Sequence, residues 1–138
     1  MQRTKYALRI ELNEPYEKAI EDVTGALKEQ GFGVVTTIDV KETLKRKLDK
    51  NFRRYIILGA CNPLLAHQAL ETELEVGVLL PCNVVVCETS ANSSVVAAMA
   101  PLPTIGMVGV EKLRPVAKEA DERVRRALES VEARMLQR

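Results

Sequence analysis

Cys61, Asn62, Pro63 and His67 fall close together in the chain, and they are the first residues that could do chemistry. The apolar run from Tyr55 to Leu58 reads as a strand, and Asn62-Pro63 reads as a helix N-cap followed by a first-turn proline. That spacing puts the Cys61 thiol at a strand end, directly before a helix N-terminus. A thiolate is stabilised there, and anions also bind at such positions. His67, the chain's single histidine, falls one turn into the helix. Glu71 follows four residues later, in reach for a pair. The plain alternatives are a small buried thiol and a surface His–Glu contact, which folded proteins show more often.

Cys82 follows Pro81 at a strand entrance, where exposure is expected. Cys87 lies inside the same strand, and its odd offset from Cys82 sends the two to opposite faces. Cys87 is expected to pack. No C-x-x-C occurs, and zinc held by three cysteines and His67 would draw on three separate elements without paired spacing. No metal and no cofactor are expected. Cys61 and Cys82 are the candidate thiols for sulfur-carrier or redox chemistry. With Asn62, His67 and Glu71 they also make the candidate ligand-binding set.

A basic run supplies a second kind of chemistry. Lys41, Lys45, Arg46, Lys47, Lys50, Arg53 and Arg54 stand against Glu42 and Asp49, a local charge of +5, while the rest of the chain sums to −4. Such a segment suits a phosphate or an acidic partner, or it is a solvated helix face. With no Trp, 3 Tyr and 2 Phe, stacking on single-stranded nucleic acid is not expected. Gly31 and Gly33 open a strand rather than a helix, so they are no dinucleotide fingerprint. No Ser–His–Asp set and no Walker pattern occurs. Without a complete catalytic constellation, the sequence favours a binding role over an enzyme.

The elements that must position these residues follow from hydrophobic periodicity. Thr4 to Leu12 alternates and reads as a half-buried strand. Asn13 is the expected N-cap of a helix in which Tyr16, Ile20, Val23 and Leu27 form one stripe, closed by Gly31. Phe32 to Ile38 is a β-branched strand, and Asp39 with Glu42 makes a capping box for a short helix to about Lys50. A third helix is expected from Pro63 to about Val76. Asn83–Thr89 and Val95–Ala100 read as a hairpin across Ser90–Ser94. The apolar segment Pro101 to Lys112 suits an interface cover or a lid. A long helix runs from Pro115 nearly to the end.

The order β-α-β-α-β-α-β-β-α leaves a hairpin where a doubly wound fold needs a crossover helix. The expected class is therefore α+β, with one mixed or mainly antiparallel sheet and helices packed on it. At 138 residues, 46% hydrophobic and with net charge +1, the chain is expected to form one domain over residues 1–138. No apolar leader follows the first basic residues and no stretch is long enough to span a bilayer, so a cytoplasmic location is expected.

Three segments combine into a pattern: Gly31-Phe32-Gly33-Val34-Val35; Ile57-Leu58-Gly59-Ala60-Cys61-Asn62-Pro63 with Ala66 and Ala69-Leu70; and Gly77-Val78-Leu79-Leu80-Pro81-Cys82-Asn83-Val84. The pattern resembles the bacterial and archaeal family called domain of unknown function 302, over roughly Tyr6 to Val96. The resemblance implies a small α+β domain, often a homodimer, with no agreed activity, substrate or cofactor. The expected function is thus a small cytoplasmic binding or accessory module, homodimeric, with a ligand cleft at the Cys61–His67 helix start. The alternatives are a thiol protein acting through Cys61 or Cys82, and a structural dimer that meets an acidic partner through residues 41–54.

Overall fold

The strands are β1 (Gln2–Arg3), β2 (Ala7–Leu12), β3 (Gly33–Asp39), β4 (Tyr55–Cys61), β5 (Cys82–Ser90) and β6 (Ser93–Met99). The helices are α1 (Tyr16–Glu29), α2 (Val40–Leu48), α3 (Pro63–Thr72), α4 (Pro101–Gly106) and α5 (Arg114–Leu136). These come from a computed structural model that describes residues 1–137. The six strands form one sheet in the order β1-β2-β6-β5-β4-β3, with every neighbouring pair antiparallel. The class is α+β, as the element order implies.

One face of the sheet is covered and the other is open. Paired rows such as Leu8–Ala98–Val84–Leu58 and Ile10–Val96–Val86–Ile56 point toward α1 and α5. There they meet Val23 and Leu27 of α1 and Val124, Leu128 and Val131 of α5. Burying these branched side chains against two helix stripes supplies most of the hydrophobic stabilisation. A second cluster joins Ala69, Val76, Ile105, Leu113 and Ala117 at one end of the sheet. On the open face the row Arg9–Ala97–Val85–Ile57–Ile38 has no helix over it.

Several boundaries differ from the periodic pattern. The first strand is broken, because Thr4 Oγ1 accepts from the Ala7 N–H at 3.0 Å and turns the chain between β1 and β2. Asn13 does not cap α1: Pro15 holds the cap position without a side-chain bond, and its carbonyl accepts from Ala19 N at 3.0 Å. The helix from Pro63 stops at Thr72, not Val76. Glu73 takes an extended conformation, and a 3-10 segment, Leu74–Leu79, then turns Val76 into the second cluster. Within Pro101–Lys112 the chain folds into α4 and begins a further 3-10 turn, Glu111–Leu113. Ile105 is thereby drawn into the core.

The Asp39 cap does form, accepting from Glu42 N at 3.0 Å, and Asp49 ends α2 in the left-handed conformation. Yet α2 buries none of its residues. Of its Val40-Leu44-Leu48 stripe, Val40 and Leu44 are half-buried beside the β3–β4 edge, and Leu48 is exposed.

Candidate functional site

The ends of β4 and β5 carry the site. Cys82 lies across the ladder from Ala60, one residue before Cys61. Both cysteines line one hollow, closed by Phe32, Leu65, Leu80 and Ile105. The hollow has a cavity volume of about 30 Å³. Without rearrangement it holds no more than a few atoms, since a single water needs about 10–15 Å³. The lining contains no Asp, Glu, Lys, Arg or His.

Against the expectation of exposure, Cys82 is buried, with 6% of its surface in contact with solvent. Burial first, and the neighbouring Cys61 second, push its thiol up to about 11. A low-dielectric site disfavours the thiolate, so Cys82 stays protonated at neutral pH. Cys61 is half-buried at the strand end, directly before α3. All three cysteines are free thiols, and Cys87 sits with Val85 on the sheet's open side, away from the hollow.

Asn62 does the capping that its position implies. Its Oδ1 accepts from Leu65 N at 3.2 Å, and its Nδ2 donates to the Gln30 carbonyl at 3.5 Å. With both ends of the amide engaged, Asn62 positions the helix beside the hollow and leaves a ligand little to bond. His67 and Glu71 pair at 3.1 Å, but both side chains are 71% exposed and neither lines the hollow. The structure therefore brings Cys61, Asn62 and Cys82 together and leaves His67 and Glu71 outside.

The basic segment is divided by its own ion pairs. Arg54 pairs with Glu17 and Glu88 and lies 5.3 Å from the centre of the Tyr16 ring. Lys45 pairs with Asp49 at 2.6 Å and Arg46 with Glu42 at 3.3 Å, while Lys41 Nζ donates to the Phe52 carbonyl. Lys47, Lys50 and Arg53 complete the segment on the far side of the sheet edge from the hollow.

No sequence pattern marks Phe32, Leu65 and Leu80 as site residues; each reads as ordinary core, and only the tertiary fold gathers them. Ile105 comes from the Pro101–Lys112 segment, which the sequence reads as an interface cover or a lid. Gly59 is a clearer local signal: a Cβ there would collide with Thr36 Oγ1 and lie 2.9 Å from Pro81 Cγ. The close passage of β3 and the Pro81 loop over Gly59 sets the strand end that carries Cys61. Among the described residues, no three His, Cys, Asp or Glu side chains gather to hold a metal, and no helix is long and apolar enough to cross a membrane.

No curated protein matches the chain. A crystal structure of an uncharacterized conserved protein DUF302 from Bacillus stearothermophilus is similar, with a TM-score of 0.82 and 28% sequence identity. That similarity covers 91% of this chain and 98% of the other. The model of the family described as Domain of unknown function DUF302 matches residues 8–131. The chain therefore belongs to the DUF302 family.

Proposed function

We propose that this protein is a small binding module whose site is the apolar hollow at the ends of β4 and β5. The observation that carries this reading is the meeting of two thiols, Cys61 and Cys82, from adjacent strands on one hollow with no charged lining. Such a lining favours a compact, uncharged ligand with apolar or soft character. A charged ligand would lose its hydration with no counter-charge to replace it. The free space accommodates very few atoms unless Leu65, Leu80 and Ile105 move apart. A protonated Cys82 and the absence of an acid or base in the lining support binding over hydrolytic catalysis.

The test is an NMR titration of the labelled protein with benzene and with dimethyl sulfide. Amide shifts are expected to concentrate at Cys61, Leu65 and Ile105, and to vanish in Ala66→Leu. Ala66 lines the hollow at a half-buried helical position that accepts leucine. Shifts gathered instead on the open sheet face around Val85 and Ala97, or shifts that survive Ala66→Leu, would overturn the reading.

A further inference from the structure

Where the chain leaves α3, a second concave surface forms. The 3-10 segment Leu74–Leu79 turns Val76 into the core and leaves Leu74 and Val78 outside, 82% and 87% exposed. Leu70 of α3 adjoins them, since a Cβ on Gly77 would lie 3.6 Å from its Cδ2. α4 packs against the 3-10 segment, and the chain that follows it carries Met107, 73% exposed, and Val108. Between the two segments runs a groove of about 460 Å³, lined by Val78, Leu79, Val108 and Val110 together with Glu73 and Glu75. It shares no lining residue with the hollow beside Cys61. Large apolar side chains gathered in solvent mark a contact surface.

Charge indicates what the surface meets. No Lys or Arg occurs between Arg54 and Lys112, the stretch that supplies every residue of the groove. Most carboxylates of the chain stand in ion pairs, as Glu119, Glu122 and Glu129 do on α5. Among the described residues Glu73, Glu75 and Glu111, which follows Val110, enter no ion pair. The groove is thus apolar along its floor and negative at its rim, with no cation of its own to neutralise it. An anionic lipid surface is repelled by such a rim. A basic partner is attracted to it.

We infer that this groove docks an amphipathic helix of a partner protein, one whose apolar stripe is flanked by Lys or Arg. Such a helix presents both required features at once. Its apolar anchors enter the groove, covering Val78 and Val108, and its flanking cations reach Glu73, Glu75 and Glu111. The unbranched Met107 side chain beside Val108 adapts to the shape of the anchors. The apolar contact supplies affinity, while the exposed carboxylates select for positive flanks and speed the encounter.

Three synthetic peptides of about four helical turns test this. One has a leucine stripe flanked by lysines, the second has the same stripe flanked by glutamates, and the third keeps the lysines with serine in place of leucine. The Leu/Lys peptide should saturate the labelled protein at one per chain, with amide shifts centred on Leu74, Val78 and Val108, and should bind less tightly as salt is raised. The other two should bind at least about tenfold more weakly. Glu73→Gln/Glu75→Gln and, separately, Val78→Ser should each weaken the Leu/Lys peptide about tenfold while keeping the wild-type circular dichroism; Val78 is exposed, so its replacement leaves the core intact. No saturable binding, shifts centred elsewhere, equal binding of the Leu/Glu or Ser/Lys peptide, or affinity unchanged in both variants would overturn the inference. So would shifts at Leu74, Val78 and Val108 that follow protein concentration instead of peptide, because a second copy would then occupy the groove.

Discussion

Cys82 stands directly across the β4–β5 ladder from the residue that precedes Cys61, and both thiols line the same apolar hollow. Burial pushes the Cys82 thiol from 9.0 up to about 11. Below pH 9 the thiol is protonated whether the chain is folded or unfolded. Between pH 9 and about 11 the unfolded chain ionises while the folded one does not. Stability should therefore fall across that window, by about 2–3 kcal/mol in total. Denaturant titrations at pH 8, 9, 10 and 11 should show this slope in the wild type, and Cys82→Ala should lack the part due to this thiol. Alkylation of Cys82 at neutral pH should be far slower in the native than in the denatured chain. Equal rates would contradict its burial.

Gly31 and Asn62 form a coupled pair. Gly31 has φ +86°, and a Cβ there would lie 2.9 Å from Asn62 Nδ2. Gly31→Ala should cost about 1–3 kcal/mol, from the left-handed backbone and the crowding together. Asn62→Ala should cost about 1–2 kcal/mol through the lost cap. The double variant should cost less than the sum, because Asn62→Ala removes the atom that the methyl group added by Gly31→Ala would strike. Strict additivity in chemical denaturation would contradict this contact.

Asp121 ties the chain's beginning to its last helix. Its carboxylate accepts from Arg3 at 2.6 and 3.2 Å and from the Leu102 N–H at 3.0 Å, which anchors the start of α4. Asp121→Asn keeps the shape but loses the charge-assisted bonds. It should destabilise the protein by about 2 kcal/mol. Arg3→Ala should cost less, since Arg3 is partly in solvent and the Leu102 bond survives. A reversed order in thermal or chemical unfolding would contradict the assignment.

His67 should matter little. Its side chain stands in solvent and pairs only with Glu71. His67→Ala should change stability by less than about 0.5 kcal/mol and leave any ligand binding intact. A large loss of binding in that variant would place His67 in the site after all.

Much of the frame is legible in the sequence because it is local. As caps, Asp39 and Asn62 each accept from a backbone N–H three residues on, so a short motif suffices to find them. The strands and long helices announce themselves through alternation and helical spacing. The two-residue β1 is too short for any period to register, and α4 is hidden in an apolar stretch without one. Asp121 reads as a surface charge on α5, and only the approach of Arg3 from the other end of the chain shows that it is buried. The meeting of Cys61 and Cys82 depends on strand order, which no local pattern encodes. α2 shows the converse case: its stripe is plain in the sequence, yet the chain buries none of it fully and leaves Leu48 exposed.

The central claim is that the hollow beside Cys61 and Cys82 holds a small ligand. Native mass spectrometry of the freshly purified protein, without added reductant, tests it most directly. A reproducible added mass is predicted on the wild type, released on denaturation and absent from folded Ala66→Leu. A wild-type chain with no added mass, or the same added mass on Ala66→Leu, would contradict the claim.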